Sequence, residues 1–157
     1  MRGPRRPIDA LLEDYSSQHR ARGNRICHAF GITLIVYGTI ALLLEVPLPW
    51  PPLTAAEVLI AAVLVRDALW SVPLSAGMLV EAAALDLLAR AIHRPAIGLA
   101  AFAAGWVFQA VGHARFERNR PAFFRNLIHL LVGPLFLWNE LVHARPVPTA
   151  GAPRDAR

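Results

Sequence analysis

Two stretches of this chain carry no formal charge over a length that crosses a lipid bilayer, and they restrict the possible folds more than any other feature. The first, ICHAFGITLIVYGTIALLL, lies between Arg25 and Glu45; the second, PAIGLAAFAAGWVFQAVGHA, lies between Arg94 and Arg115. A helix rises about 1.5 Å per residue and a hydrocarbon core is about 30 Å thick, so about 20 residues suffice to cross. Inside that core every backbone N–H and C=O must be satisfied within the protein, which selects helices. Three other apolar stretches are less clean. Residues 54–72 contain Glu57, Arg66 and Asp67, residues 74–91 contain Glu81 and Asp86, and residues 124–143 contain Glu140 and are interrupted by Gly133-Pro134. The expected fold is all-α: a multi-pass membrane helical bundle with four or five apolar helices and a short N-terminal interfacial helix.

Composition supports a membrane setting. The 157 residues are 55% hydrophobic and 17% charged, against about 25% charged in ordinary soluble proteins, and the mean hydropathy is +0.41. This length accommodates one domain, expected over residues 1–145, and the Pro- and Ala-rich tail 146–157 has no apolar period and is expected to be disordered. A net charge of +5 can signal nucleic-acid binding, but the arginines cluster beside apolar runs and form no basic helix face, so no nucleic-acid partner is expected. Cys27 is the sole cysteine, which excludes a disulfide framework and CxxC metal sites. The N-terminus lacks the apolar core of a cleavable leader, so the first run is expected to be retained. Asp9 is placed to cap a short amphipathic helix whose Ile8, Leu11, Leu12 and Tyr15 share one side, at the membrane surface.

Orientation follows the arginines. Arg20, Arg22 and Arg25 precede the first span and the loop after it is uncharged, which puts the N-terminus in the cytoplasm by the positive-inside rule. The basic loop with Arg115, Arg118, Arg120 and Arg125 belongs on the same side. Arg90 and Arg94 fit that scheme poorly and leave the middle topology open.

The candidate chemistry sits at two helix ends. Where the first span begins, YSSQHRARGNRICHAFG places Asn24 and His28 four apart on one face, with His19 about a turn earlier across an Arg-Gly break. Where the second uncharged run ends, WVFQAVGHARFERNRP aligns Gln109, His113 and Glu117 at steps of four. If both ends lie on the cytoplasmic side, His19, His28, His113 and Glu117 can converge at one depth. Neutral imidazoles with a carboxylate are the ligand set of non-haem iron sites, and zinc takes the same donors, so ligand type leaves the metal open. Asn24 and Gln109 are placed to accept from the far ring nitrogens. A single histidine at a membrane helix end is more often an interfacial polar residue, and the stripe can also serve only to join helices in a non-catalytic scaffold or small transporter. Arg66-Asp67 reads as a self-paired kink, Gly133-Pro134 as a helix break, and Cys27 points away from His28.

The segments Tyr15-x3-His19-x4-Asn24-x3-His28 and Trp106-x2-Gln109-x3-His113-x2-Phe116-Glu117-x2-Arg120-Pro121 resemble the signature of the 2-hydroxy-palmitic acid dioxygenase family, with further likeness at Asn126, Pro134 and Glu140. The resemblance implies a multi-pass membrane enzyme, of the endoplasmic reticulum in fungi and of the inner membrane in a bacterium, that uses ferrous iron and O2 to shorten a 2-hydroxy fatty acid by one carbon with release of CO2. It implies His19, His28 and His113 as metal ligands, Glu117 as a further ligand or an orienting group with a catalytic part beside His113, and Asn24, Gln109 and Glu140 as supports. His93, His129 and His143 have no counterpart. The acyl chain would lie among the helices, in contact with the bilayer, with Arg115 or Arg120 receiving the carboxylate; the same arginines also serve topology alone. A homo-oligomer is compatible with this reading. A di-iron desaturase or hydroxylase is a further alternative, but its HxxxH and HxxHH boxes are absent from the sequence.

Overall fold

A computed structural model describes residues 8–117 and 128–143. Six helices make up the described chain: α1 (Asp9–Gln18), α2 (Arg22–Leu43), α3 (Ala55–Trp70), α4 (Val72–Ile92), α5 (Pro95–Gly112) and α6 (Ile128–His143). α5 runs directly into a π-helical turn, His113–Glu117. The expected tail, 146–157, lies outside the described residues.

The boundaries follow from local chemistry. α3 opens with a reciprocal capping box in which Thr54 N–H donates to Glu57 Oε2 at 2.8 Å and Ala56 N–H donates to Thr54 Oγ1 at 3.3 Å. It ends at Ser71, which is extended, and Pro73 then falls in the first turn of α4, where its missing N–H is harmless. α4 stops at His93, whose left-handed φ of 44° reverses the chain, and Pro95 starts α5. Asp9 does not cap α1: Ile8 holds that position without a side-chain bond, and Asp9 is the first helical residue, where a carboxylate still favours the amino-end dipole.

α2 and α5 form an antiparallel pair whose backbones touch. A methyl group on Gly38 would lie 2.5 Å from Gly98 O, one on Gly105 would lie 2.7 Å from Gly31 O, and one on Gly112 would lie 2.5 Å from Asn24 Oδ1. These positions repeat every seven residues on each helix, so one narrow face stays in contact along the whole pair. With no hydrophobic drive between helices in lipid, this small-residue seam supplies the close van der Waals packing.

α2, α3, α4 and α5 run alternately, so the start of α2 and the end of α5 share one end of the bundle. α1 is not a free surface helix. Its Ile8, Leu12 and Tyr15 are buried against Val132, Leu135 and Phe136 of α6 and Leu74 and Met78 of α4. The number of spans is smaller than expected. Among the described residues three helices, not four or five, are long and apolar enough to cross: Arg22–Leu43, Val72–Ile92, and Pro95–Glu117 including the π turn. α3 has only 16 residues and carries Glu57, Arg66 and Asp67, and the apolar part of α6 is limited to Leu130–Leu141 around Pro134. Leu69, Leu87, Val107 and Phe30 turn outward, at 77%, 67%, 61% and 61% exposure, as residues facing lipid do. The awkward Arg90 lies at the far end of the bundle, where Glu57 and Asp86 neutralise it.

The seam is tested by Gly105→Val, which forces the two backbones apart and is expected to destabilise the protein by about 1–3 kcal/mol. Val107→Leu, on the exposed side of the same helix, is expected to leave unfolding in detergent unchanged.

Candidate metal centre

Three histidines from three separate places meet at the shared end of α2 and α5. His19 ends α1, His28 lies in the second turn of α2, and His113 opens the π turn. All are buried, at 1%, 4% and 2% exposure, and their ligand atoms lie within 4.8 Å of one another. Ring centroids are 4.3 Å apart for His19–His28, 4.9 Å for His19–His113 and 4.8 Å for His28–His113, each pair edge-on.

Backbone carbonyls fix the tautomers. His19 Nδ1 lies 2.6 Å from Tyr15 O and His28 Nδ1 lies 3.0 Å from Asn24 O. A carbonyl only accepts, so each Nδ1 carries the hydrogen and each neutral ring presents a lone pair at Nε2. Those two Nε2 atoms face each other at 3.0 Å. Two lone pairs at that distance repel unless a proton or a metal ion lies between them. Nitrogens each about 2.1 Å from one ion and at roughly right angles to each other stand about 3 Å apart. The donor set therefore fits a transition metal, with three imidazoles and coordination positions left over.

The surroundings hold the rings still. Tyr15 stacks on His19 with centroids 4.0 Å apart and planes 8° from parallel, and Phe136 backs Tyr15 at 4.9 Å. Burial pushes the Tyr15 phenol above its ordinary pKa, so it stays protonated. Arg25 donates from Nε to His19 O at 2.8 Å and from Nη1 to Glu140 Oε1 at 2.7 Å. Glu140 thus reaches the centre through Arg25, which ties α6 to the segment that carries His19.

Glu117 sits apart from the three rings. Its Oε1 accepts from Ala21 N–H at 2.7 Å and from Asn24 Nδ2 at 3.3 Å, so it caps the start of α2 and clamps the link between His19 and His28 to the π turn. The wider π turn moves Glu117 off the straight stripe expected through Gln109 and His113. Phe116 adds to the clamp by lying against Gly23, where any side chain would collide with its ring. Asn24 supports His28 through its backbone carbonyl instead of its side chain. Gln109 is buried, and its amide stands over Gly31 instead of facing the outer nitrogens of His19 or His28. Arg115 is exposed. Arg118, Arg120, Pro121, Arg125 and Asn126 lie outside the described residues, as do the side chains of His129 and His143. In the sequence Arg25 reads only as an orienting charge and Phe136 carries no signal beyond proximity to Pro134.

Comparison with known proteins identifies the family. The sequence model of a family described as "2-hydroxy-palmitic acid dioxygenase Mpo1-like" matches residues 6–145. The chain is 47% identical over 45 residues to the 2-hydroxy-palmitic acid dioxygenase MPO1 of Saccharomyces cerevisiae, a match covering 28% of this chain and 26% of that relative. No solved structure matches the chain.

The clamp predicts a graded loss of metal affinity. Glu117→Ala frees the link between His19 and His28 and is expected to weaken binding of Fe(II) or Co(II) by about 10–100-fold, the range for residues that orient ligands. Glu117→Gln keeps an accepting oxygen and should recover most of it. Anaerobic titration against a competing chelator measures both.

Proposed function

The chain belongs to the Mpo1-like family, and on that premise we propose that it is a membrane-embedded, Fe(II)-dependent dioxygenase that shortens 2-hydroxy fatty acids by one carbon. The products are the shortened fatty acid, CO2 and water, which balance against one substrate and one O2. The observation that carries this reading is the buried cluster of His19, His28 and His113, with ligand atoms within 4.8 Å of one another.

His19, His28 and His113 would hold the iron. When bound, ferrous iron would activate O2 and pass to it the electrons that the 2-hydroxy acid gives up. The residues of the chain supply placement and exclusion of water. Tyr15 and Phe136 cover the His19 side with aromatic surface, so the reacting carbons sit away from bulk solvent. Among the described residues no carboxylate joins the three histidines, which suits a substrate that brings its own. Tyr15 and Asn24 carbonyls keep the hydrogen on Nδ1 of two rings, so those rings stay neutral donors through the reaction. The flanking arginines support a cytoplasmic side for the centre, with the acyl chain reaching it from the bilayer.

Protein loaded anaerobically with Fe(II) and then given 2-hydroxypalmitate and O2 should yield CO2 and the acid one carbon shorter. His113→Ala is expected to lower that rate by about 100-fold or more, and zinc loading should give no turnover because zinc is redox-inert. Decarboxylation retained in His113→Ala would remove the assignment.

A further inference from the structure

One polar side chain beside the three histidines has no task in holding them. Gln109 lies one turn before His113 on α5, about 6 Å along the axis. It is only 7% exposed, and among the described residues its amide makes no hydrogen bond. Its Nε2 lies 3.0 Å from where a methyl group on Gly31 would stand, so the amide occupies room that the glycine leaves. Buried amides are rarely left unpaired, and a polar group inside an apolar span by default marks a function.

The amide lies on the histidine side of the α2–α5 seam. At about 100° per residue, Gln109 and His113 turn successively to one side of α5 from the seam glycine Gly105. His28 and Ile35 turn from Gly31 to the side of α2 that meets it, since the rings of His28 and His113 are in edge-on contact at 4.8 Å. Away from the rings along that side, the amide comes first, and the half-buried Ile35 and Trp106 come next. The order is three imidazoles, one neutral amide, then apolar wall.

We propose that the Gln109 amide binds the 2-hydroxyl of the substrate and thereby decides which fatty acids the centre accepts; this inference rests on the proposed function. A 2-hydroxy acid presents a matching order: a carboxylate for the histidine end, a hydroxyl on the next carbon, then hydrocarbon. The chemistry of the amide selects the hydroxyl over the carboxylate. An amide both donates and accepts, as a hydroxyl does, whereas a carboxylate only accepts and would leave Oε1 unpaired. An acid without the hydroxyl leaves the whole amide unpaired in an apolar site, and that is the strong way for a protein to reject an analogue.

Binding without turnover tests this, on the Fe(II)-loaded full chain in phosphatidylcholine nanodiscs kept free of oxygen, with labelled 2-hydroxypalmitate as the probe and palmitate as the competitor. The hydroxy acid should bind at least about tenfold more tightly, the scale of one hydrogen bond. Gln109→Met keeps the length of the side chain without its polar atoms, and should lower that ratio about tenfold while Fe(II) affinity is retained. Gln109→Asn, whose amide is withdrawn by one methylene, should lower it at least about threefold, and decides the matter if the methionine variant does not fold. Equal affinity of the wild type for the two acids, or a ratio unchanged by either substitution, would overturn the assignment. So would loss of Fe(II) affinity in place of the ratio, which would leave the amide a helix-joining group. The proposed function fails separately: no CO2 from 2-hydroxypalmitate once O2 is admitted, with the ratio still set by Gln109, contradicts the dioxygenase reading and keeps the recognition site.

Discussion

Backbone contact between α2 and α5 sets the depth at which His28 and His113 meet. The two helices touch at Gly31, Gly38, Gly98 and Gly105 with no side chain between them, and their seven-residue spacing keeps the antiparallel register along the whole seam. A slip of that register would carry one imidazole along the bundle axis away from the other. Everything at the histidine end inherits this alignment: the π turn ends the seam, Phe116 closes on Gly23, and Glu117 reaches the backbone of Ala21. His19 is delivered by a different route, through α1 packed on α6 and the Arg25–Glu140 pair. Two independent pieces of packing thus converge on one small volume, which is why histidines distant in sequence can share it.

Three helices long and apolar enough to cross a membrane account for the division of labour along the chain. Lipid gives no hydrophobic reason for helices to associate, so glycine seams and buried polar pairs do that work, and outward-facing Leu and Val are left to the acyl chains. Charge is confined to places where it is answered. Arg90 has Glu57 and Asp86, Arg25 has Glu140 and the carbonyl of His19, and Trp138 donates its indole N–H to Glu81 at 2.6 Å. Arg66 is the exception, since only part of its guanidinium is answered by Asp67 and Leu131.

Much of this was legible in the sequence because its signals are local. Uncharged runs reveal α2 and α5, and the histidine spacings point to the helix ends. The misses have physical causes. Counting spans from apolar content alone overstated α3 and α6, because Arg66-Asp67 and Pro134 fall where helix length runs out. Asp9 looked like a cap, yet α1 begins one residue earlier because Ile8 is buried against α6. The straight stripe through Gln109, His113 and Glu117 assumed an unbroken α-helix, and the π turn redirects Glu117 to the start of α2. The glycine heptads were present in the sequence as Gly31/Gly38 and Gly98/Gly105/Gly112, but only pairing across space gives them meaning.

X-ray absorption at the iron edge of the Fe(II)-loaded full chain tests, without reference to turnover, whether three imidazoles grip one ion. Multiple scattering from three imidazole rings is expected in the native protein, falling to two in His28→Ala. An iron environment without imidazole, or one left unchanged by that substitution, would contradict it.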